Sequence, residues 1–311
     1  MKRLIILLVA AMLVVTGSLA VGAAGRMLII SAGSENFWNW QWKAPATGSQ
    51  YDLVSSAAQV AGVLSTLPTE AQAQVTAALT RINYQNNVAF LAFLGQRPTA
   101  GYQVTVGQIT LTNSAMQVWI GRQSPAPDSV NATGLSYPFT VYTLPRQDLP
   151  QGWFGLDVMD QTGKGLHTEL INVHNDGIWQ WQWHNPKQMQ PQVQLIRTAV
   201  QARRLLRTLQ PENQKAVTQA LQGINYRKQA ALVAFLGPVP GVGHKVGIGE
   251  IRLDSAGIQV WLGVQTPTNK VSILPTLASP VDVVRIPRTS LPSGKLPIVV
   301  MDQTGRELGR K

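Results

Sequence analysis

The chain has 311 residues, enough for about two domains that each bury a real core. Apolar residues make up 45% and charged residues 13%, a globular composition and not a disordered one. With no cysteine, a disulfide scaffold, thiolate-bound zinc, iron–sulfur ligation, a thiol nucleophile and a lipid anchor on an N-terminal cysteine are all excluded.

The chain opens with Lys2 and Arg3, then an unbroken apolar run from Leu4 to Val15, then small residues up to Ala24. Residues 1–24 therefore read as a secretory signal peptide with a cleavage site near Val21 to Ala24. Kept as an anchor, residues 4–24 would just span a bilayer, but Thr16, Gly17 and Ser18 interrupt the run and favour cleavage. Either way the remainder is expected outside the cytoplasm, secreted or associated with the cell envelope, and no later segment is apolar enough to span a membrane.

The rest of the chain is a duplication. Residues 82–164 align without a gap on 224–306 at an offset of 142, with 34 identities in 83 pairs. Ala92-Phe93-Leu94-Gly95 returns as Ala234-Phe235-Leu236-Gly237, and Met159-Asp160-Gln161-Thr162-Gly163 as Met301-Asp302-Gln303-Thr304-Gly305. Upstream, Trp38-x-Trp40-x-Trp42 corresponds to Trp179-x-Trp181-x-Trp183. The predicted organisation is a first repeat over 25–164 and a second over 165–311, joined by a short link around Gly165 to Thr168.

Within each repeat the pattern predicts an opening strand carrying the tryptophans, then a second strand at Tyr51–Val54 or Val193–Ile196. Ser56 and Thr198 sit where a helix N-cap belongs. Two short helices come next, interrupted at Pro68 or Pro211. The apolar run Asn87–Leu94 reads as a strand buried on both faces. Strands at Tyr102–Thr112, Met116–Arg122, Pro138–Leu144 and Phe154–Met159 complete the unit, with a long loop over 123–136. The predicted fold class is α+β: two tandem copies of a mostly antiparallel β domain, each with two short helices inserted early.

Chemistry-bearing motifs are scarce. The four histidines all lie beyond residue 166, so no histidine site is shared by the repeats. HExxH, P-loop and GxSxG motifs are absent, and no metal or cofactor is expected. Of the ionisable residues common to both repeats, Glu70/Glu212 suits a helix start, Asp160/Asp302 a turn and Arg146/Arg288 a strand end. The expectation is a binding protein without catalysis.

Three features are candidates for binding. In strand conformation Trp38, Trp40 and Trp42, like Trp179, Trp181 and Trp183, line one face with rings about 7 Å apart. Such a row serves either as packing against helices or the sister repeat, or as an aromatic shelf for a peptide or glycan. The second feature is the loop Arg97-Pro98-Thr99-Ala100-Gly101-Tyr102, where Pro98 fixes φ and Gly101 permits an unusual one, so that Thr99 and Tyr102 are presented to a partner. The third is charge. Of the net +11, residues 25–164 contribute zero and 165–311 contribute +9, with Arg197, Arg203, Arg204 and Arg207 clustered. Outside a cell the polyanions on offer are wall polymers and lipid head groups, so nucleic acid is not an expected partner.

The run Phe93 to Val104 resembles the G-x-K/R-P-T-G-G-Y-x-I/V segment of the PrcB C-terminal-like domain of the protease complex subunit PrcB family. Gln123-Ser124-Pro125 and Tyr137-Pro138-Phe139-Thr140-Val141 resemble that family's closing pattern. The resemblance covers about 60 residues per repeat and departs at Ala100, where the family favours glycine. The second repeat keeps less: Pro240, Gly243 and His244 in place of Pro98, Gly101 and Tyr102. The resemblance implies an exported bacterial protein that binds and stabilises an extracellular, subtilisin-like protease through the first repeat's loop. A wall or anionic-polymer binder using the second repeat's arginines and a protease inhibitor are the alternatives.

Overall fold

The computed structural model describes residues 27–310 except 33–34, 45–47, 128, 130–132, 184–190, 210, 237–238, 241–242, 255–256, 268–276, 279, 292–293 and 295; the expected signal peptide lies outside them. No described helix is long and apolar enough to cross a membrane. The first half runs β1 (Leu28–Ser31), a 3-10 turn (Glu35–Asn39), β2 (Gln50–Val54), α1 (Ala57–Ser65), α2 (Thr69–Leu79), β3 (Asn87–Phe93), β4 (Arg97–Thr99), β5 (Gln103–Leu111), β6 (Ala115–Gln123), β7 (Thr133–Ser136), β8 (Phe139–Pro145) and β9 (Phe154–Asp160). The second half runs β10 (Gly165–Ile171), a 3-10 turn (Asp176–Gln180), β11 (Gln192–Ile196), α3 (Ala199–Thr208), α4 (Pro211–Leu221), β12 (Gln229–Phe235), β13 (Val239–Pro240), β14 (Lys245–Asp254), β15 (Gly257–Gln265), β16 (Leu277–Ala278), β17 (Val281–Pro287), β18 (Ile298–Asp302) and β19 (Glu307–Arg310). The fold class is α+β, as the sequence predicts.

One nine-stranded sheet, ordered β1-β5-β6-β9-β10-β14-β15-β18-β19, runs through both halves. Two three-stranded sheets, β2-β3-β8 and β11-β12-β17, lie over it, and the helices cover those. β3 shows why this layering needs an unbroken apolar run. Val88, Phe90 and Ala92 face the large sheet with Ile109, Val118 and Leu156, while Ala89, Leu91 and Phe93 face Val60, Val75 and Leu79 of the helices. Pairing is mostly antiparallel, with two parallel exceptions, β6 with β9 and β15 with β18.

One local expectation is corrected. The tryptophan segments are not strands: each begins as a 3-10 turn and continues as irregular chain outside the sheets. The helix starts stand as expected. Ser56 is the N-cap of α1, where the Gln59 carboxamide oxygen accepts from the backbone N–H groups of Ser55 (2.6 Å) and Ser56 (3.1 Å), and Thr198 caps α3 by accepting from Gln201 N–H at 3.2 Å.

The stretch expected to link the repeats is also different. Gly165 to Thr168 belongs to β10, which pairs antiparallel with β9 on one edge and with β14 on the other. A loop there would leave the edge of β9 uncovered; Gly165 to Thr168 cover it, and Glu169 to Ile171 of the same strand also reach β14.

The repeated glycines have a steric cause. A Cβ on Gly107 would lie 2.1 Å from Cζ of Phe37, and one on Gly121 would lie 2.8 Å from Cβ of Phe37. In the second repeat the same niche admits Ile178, 2.1 Å from a Cβ on Gly263 and 2.7 Å from one on Gly247, while Gly249 makes room for Trp179. Gly107→Ala is expected to destabilise the chain by about 1–3 kcal/mol in urea denaturation, because Phe37 is buried and cannot retreat. Gly155→Ala, with open space around it, is the control and should be close to neutral.

Candidate functional site

The loop singled out in the sequence is clamped from beneath. Arg97 is buried beside the ring of Trp42, with its guanidinium carbon 4.9 Å from the ring centroid, and donates to the carbonyl of Leu94. Burial lowers its pKa, with Tyr102 and Tyr51 acting the other way. Arg122 lies 5.1 Å from the same ring and forms a buried ion pair with Asp160 at 2.6 Å. Tyr102 meets Trp42 edge-on at 5.8 Å. β4 pairs with β7, so the predicted long loop contains a strand, and Ser136 Oγ donates to the carbonyl of Thr99 at 2.6 Å.

What remains exposed is the rim. Pro98 and Gly101 are exposed, Thr99, Ala100 and Tyr102 are half-buried, and Gly101 has φ of 90°. Arg97, expected to contact a partner, is instead the clamp that holds the rim in shape. The second repeat has Val239 and Val264 where the first has Arg97 and Arg122. Its loop therefore lacks the clamp.

The repeated Asp-Gln-Thr-Gly turn has a job the sequence alone does not show. Asp160 accepts from Thr162 N–H, Thr162 Oγ1 and Lys164 N–H. Burial alone would raise its carboxyl; these hydrogen bonds and Arg122 lower it overall. Gln161 donates to the carbonyls of Trp40 (2.8 Å) and Arg122 (2.9 Å), and Gln303 donates to that of Trp181. Ser124 N–H donates to the carbonyl of Gln41 at 2.8 Å. The tryptophan segment is thus tied across the sheet without joining it. Arg146, another charge common to both repeats, has separate work: it donates to the carbonyls of Ser55, Tyr84 and Val173.

The two tryptophan rows diverge. Trp38 is 43% exposed, resting on Phe37 and on Trp119 at 5.4 Å; Trp179 is only 8% exposed, covered by α1. Trp40, Trp42, Trp181 and Trp183 are half-buried. Of the arginine cluster, Arg203, Arg204 and Arg207 stand exposed on α3, and Arg197 is half-buried with its guanidinium on the carbonyl of Gly294 at 2.8 Å.

A second group of charges, missed in the sequence, lies where the halves meet. Arg252 binds Asp52 and Glu250, stands 3.7 Å from Glu169 and covers Trp261 with its guanidinium 4.5 Å from the ring. His167 pairs with Glu169 at 3.2 Å. No regular spacing joins these residues in the sequence; only the sheet register does, opposing Glu169 to Arg252. Three carboxyl groups crowd around Arg252 and His167, and burial pushes that of Glu250 up to about 7. For His167 burial alone acts downward, but the hydrogen bond and charge of Glu169 raise it overall.

Both groups bind protons more tightly folded than unfolded. Stability from this cluster is therefore greatest at low pH and is lost from the carboxyl's ordinary 4.5 up through about 7, and as His167 titrates above its ordinary 6.5. Urea midpoints should fall across that window, and Glu250→Gln should flatten the fall; an unchanged slope in the variant would assign it elsewhere.

The site is thus a short, pre-shaped rim on an arginine–tryptophan clamp. Residues 89–145, from β3 to the end of β8 and so including the loop, match the family model described as PrcB C-terminal. No curated protein and no solved structure matches the chain.

Proposed function

We propose that the chain is an exported, non-enzymatic accessory subunit of an extracellular protease, and that the Pro98–Tyr102 rim of the first repeat makes the contact. The observation that carries this reading is the coincidence of the family match with the clamped loop: the matched residues contain Arg97, Arg122 and the rim together. A rim held by two buried arginines loses little conformational entropy on binding. The second repeat, with Val239 and Val264, is proposed to be a diverged copy whose loop does not take that role.

The test is titration calorimetry against a subtilisin-like protease of the producing cell. Pro98→Ala with Tyr102→Ala should weaken binding at least tenfold, about 1.4 kcal/mol, with the thermal midpoint little changed. Equal affinity would remove the loop from the contact. Following the bound protease's activity and lifetime separates a stabiliser, which prolongs activity, from an inhibitor, which abolishes it.

A second reading is favoured by one observation: Arg203, Arg204 and Arg207 all stand exposed on α3. On this reading α3 holds an anionic wall polymer. Retention on such a polymer should fall steeply between low salt and about 0.15 M, where the Debye length is about 8 Å, and should drop further in Arg203→Gln/Arg207→Gln. Retention indifferent to both would discard it.

A further inference from the structure

The way the two halves meet has a counterpart in two faces that stand open among the described residues. At the junction, α1 presents Gln59, Gly62, Val63 and Thr66 to Trp179, Trp261 and Arg252, and the crevice left between them is only about 40 Å³. The equivalent face of the second half is α3 with β11. There Gln201, Arg204, Leu205 and Thr208 line an open groove of about 670 Å³. The equivalent of the Trp179 face is that of Trp38 and Trp119 in the first half, where Trp38 is 43% exposed and Trp119 is half-buried. Ile29, another exposed large apolar side chain, stands on β1 of the same sheet.

We propose that these faces mate between molecules, so that the Trp38 face of one chain docks in the α3 groove of a second copy, as the Trp179 face docks on α1 within the chain. The side chains that differ from the internal junction differ in matched pairs. Inside, Asp52 meets Arg252; between chains, Gln194 meets Thr110, and both members are neutral. Inside, Glu169 stands opposite Arg252; in β1, Ile29 stands opposite Thr110. Inside, the guanidinium over Trp261 comes from Arg252 and the facing helix carries Gly62; between chains, Thr110 leaves the Trp119 side without one and the facing helix carries Arg204. The cation has moved to the other partner.

The register sets one condition. β1 stands against β5 as β10 stands against β14, and β19 stands against β18 as β10 stands against β9. A continued sheet has one strand there, so the four-residue β19, mostly exposed, yields its place to β1 of the incoming chain. Such a contact joins unlike faces and builds chains or rings, not a closed twofold dimer.

Sedimentation velocity on the full chain tests this. The wild-type chain should grow beyond a dimer as concentration rises. Trp38→Asp and Arg204→Asp should each weaken self-association at least tenfold. Mixed one to one they should form a dimer and nothing larger, since one keeps an intact groove and the other an intact tryptophan face. Ile29→Asp, on exposed β1, serves in place of Trp38→Asp if that variant unfolds. A wild-type chain that stays monomeric up to its solubility limit would overturn the proposal, and so would variants that fail to complement while the wild type associates.

Discussion

Everything in this molecule depends on β10 being hydrogen-bonded along both edges. β9 takes one edge and β14 the other, so a single strand closes the first half and opens the second. Two β domains joined by a loop would each carry an open edge, and open edges pair indiscriminately. Sharing a strand removes both at once. It also fixes the halves in register, which is what brings Asp52 of β2 within reach of Arg252 two hundred residues away. The buried charges are a consequence of that constraint. Arg252 is tolerated in the interior because three carboxylates and the face of Trp261 replace the water it gave up.

The same sheet positions the Arg97–Tyr102 loop. The β5–β6 register shifts at Gly107, where Phe37 presses against Gly107 and Gly121, and that niche anchors the tryptophan segment at its start. Further along, Gln161 and Ser124 tie the segment down, and Trp42 arrives between Arg97 and Arg122. The rim at Pro98 is therefore shaped by residues as distant as Asp160. A substitution in the Asp-Gln-Thr-Gly turn would reach the rim through Arg122 and Trp42, without touching it.

Much of this was legible in the sequence, and the failures have physical reasons. The buried strand β3, the helices and the Asp160–Gly163 turn come from apolar spacing and turn chemistry, because local signals decide them. The alternating tryptophans mimic a strand, but the segment's carbonyls accept from the Gln161 side chain and the Ser124 backbone N–H instead of forming a ladder with a neighbouring strand, a long-range choice that periodicity cannot register. Gly165 to Thr168 has the composition of a linker and becomes a strand because the edge of β9 waits for it, ahead of the three residues that β14 pairs. Arg97 looks like a contact residue in the motif and is buried, since nothing local announces that Trp42 will cover it.

The duplication makes the environment of each position readable by comparison. Where both halves bury a side chain against the same layers the residue is kept, as in Ala89/Ala231, Ala92/Ala234 and Phe93/Phe235. Where one half covers what the other leaves open, the residues part. α1 lies over Trp179 and carries no charge, because a charge closed into that junction would have to be desolvated; α3 faces an open groove and carries Arg203, Arg204 and Arg207. Linked positions change together: with Val264 in place of Arg122, Asp302 finds its cation in Arg306 at 3.0 Å, where the first repeat has Lys164. The exposed arginines of α3 thus stand on the helix whose groove is open among the described residues.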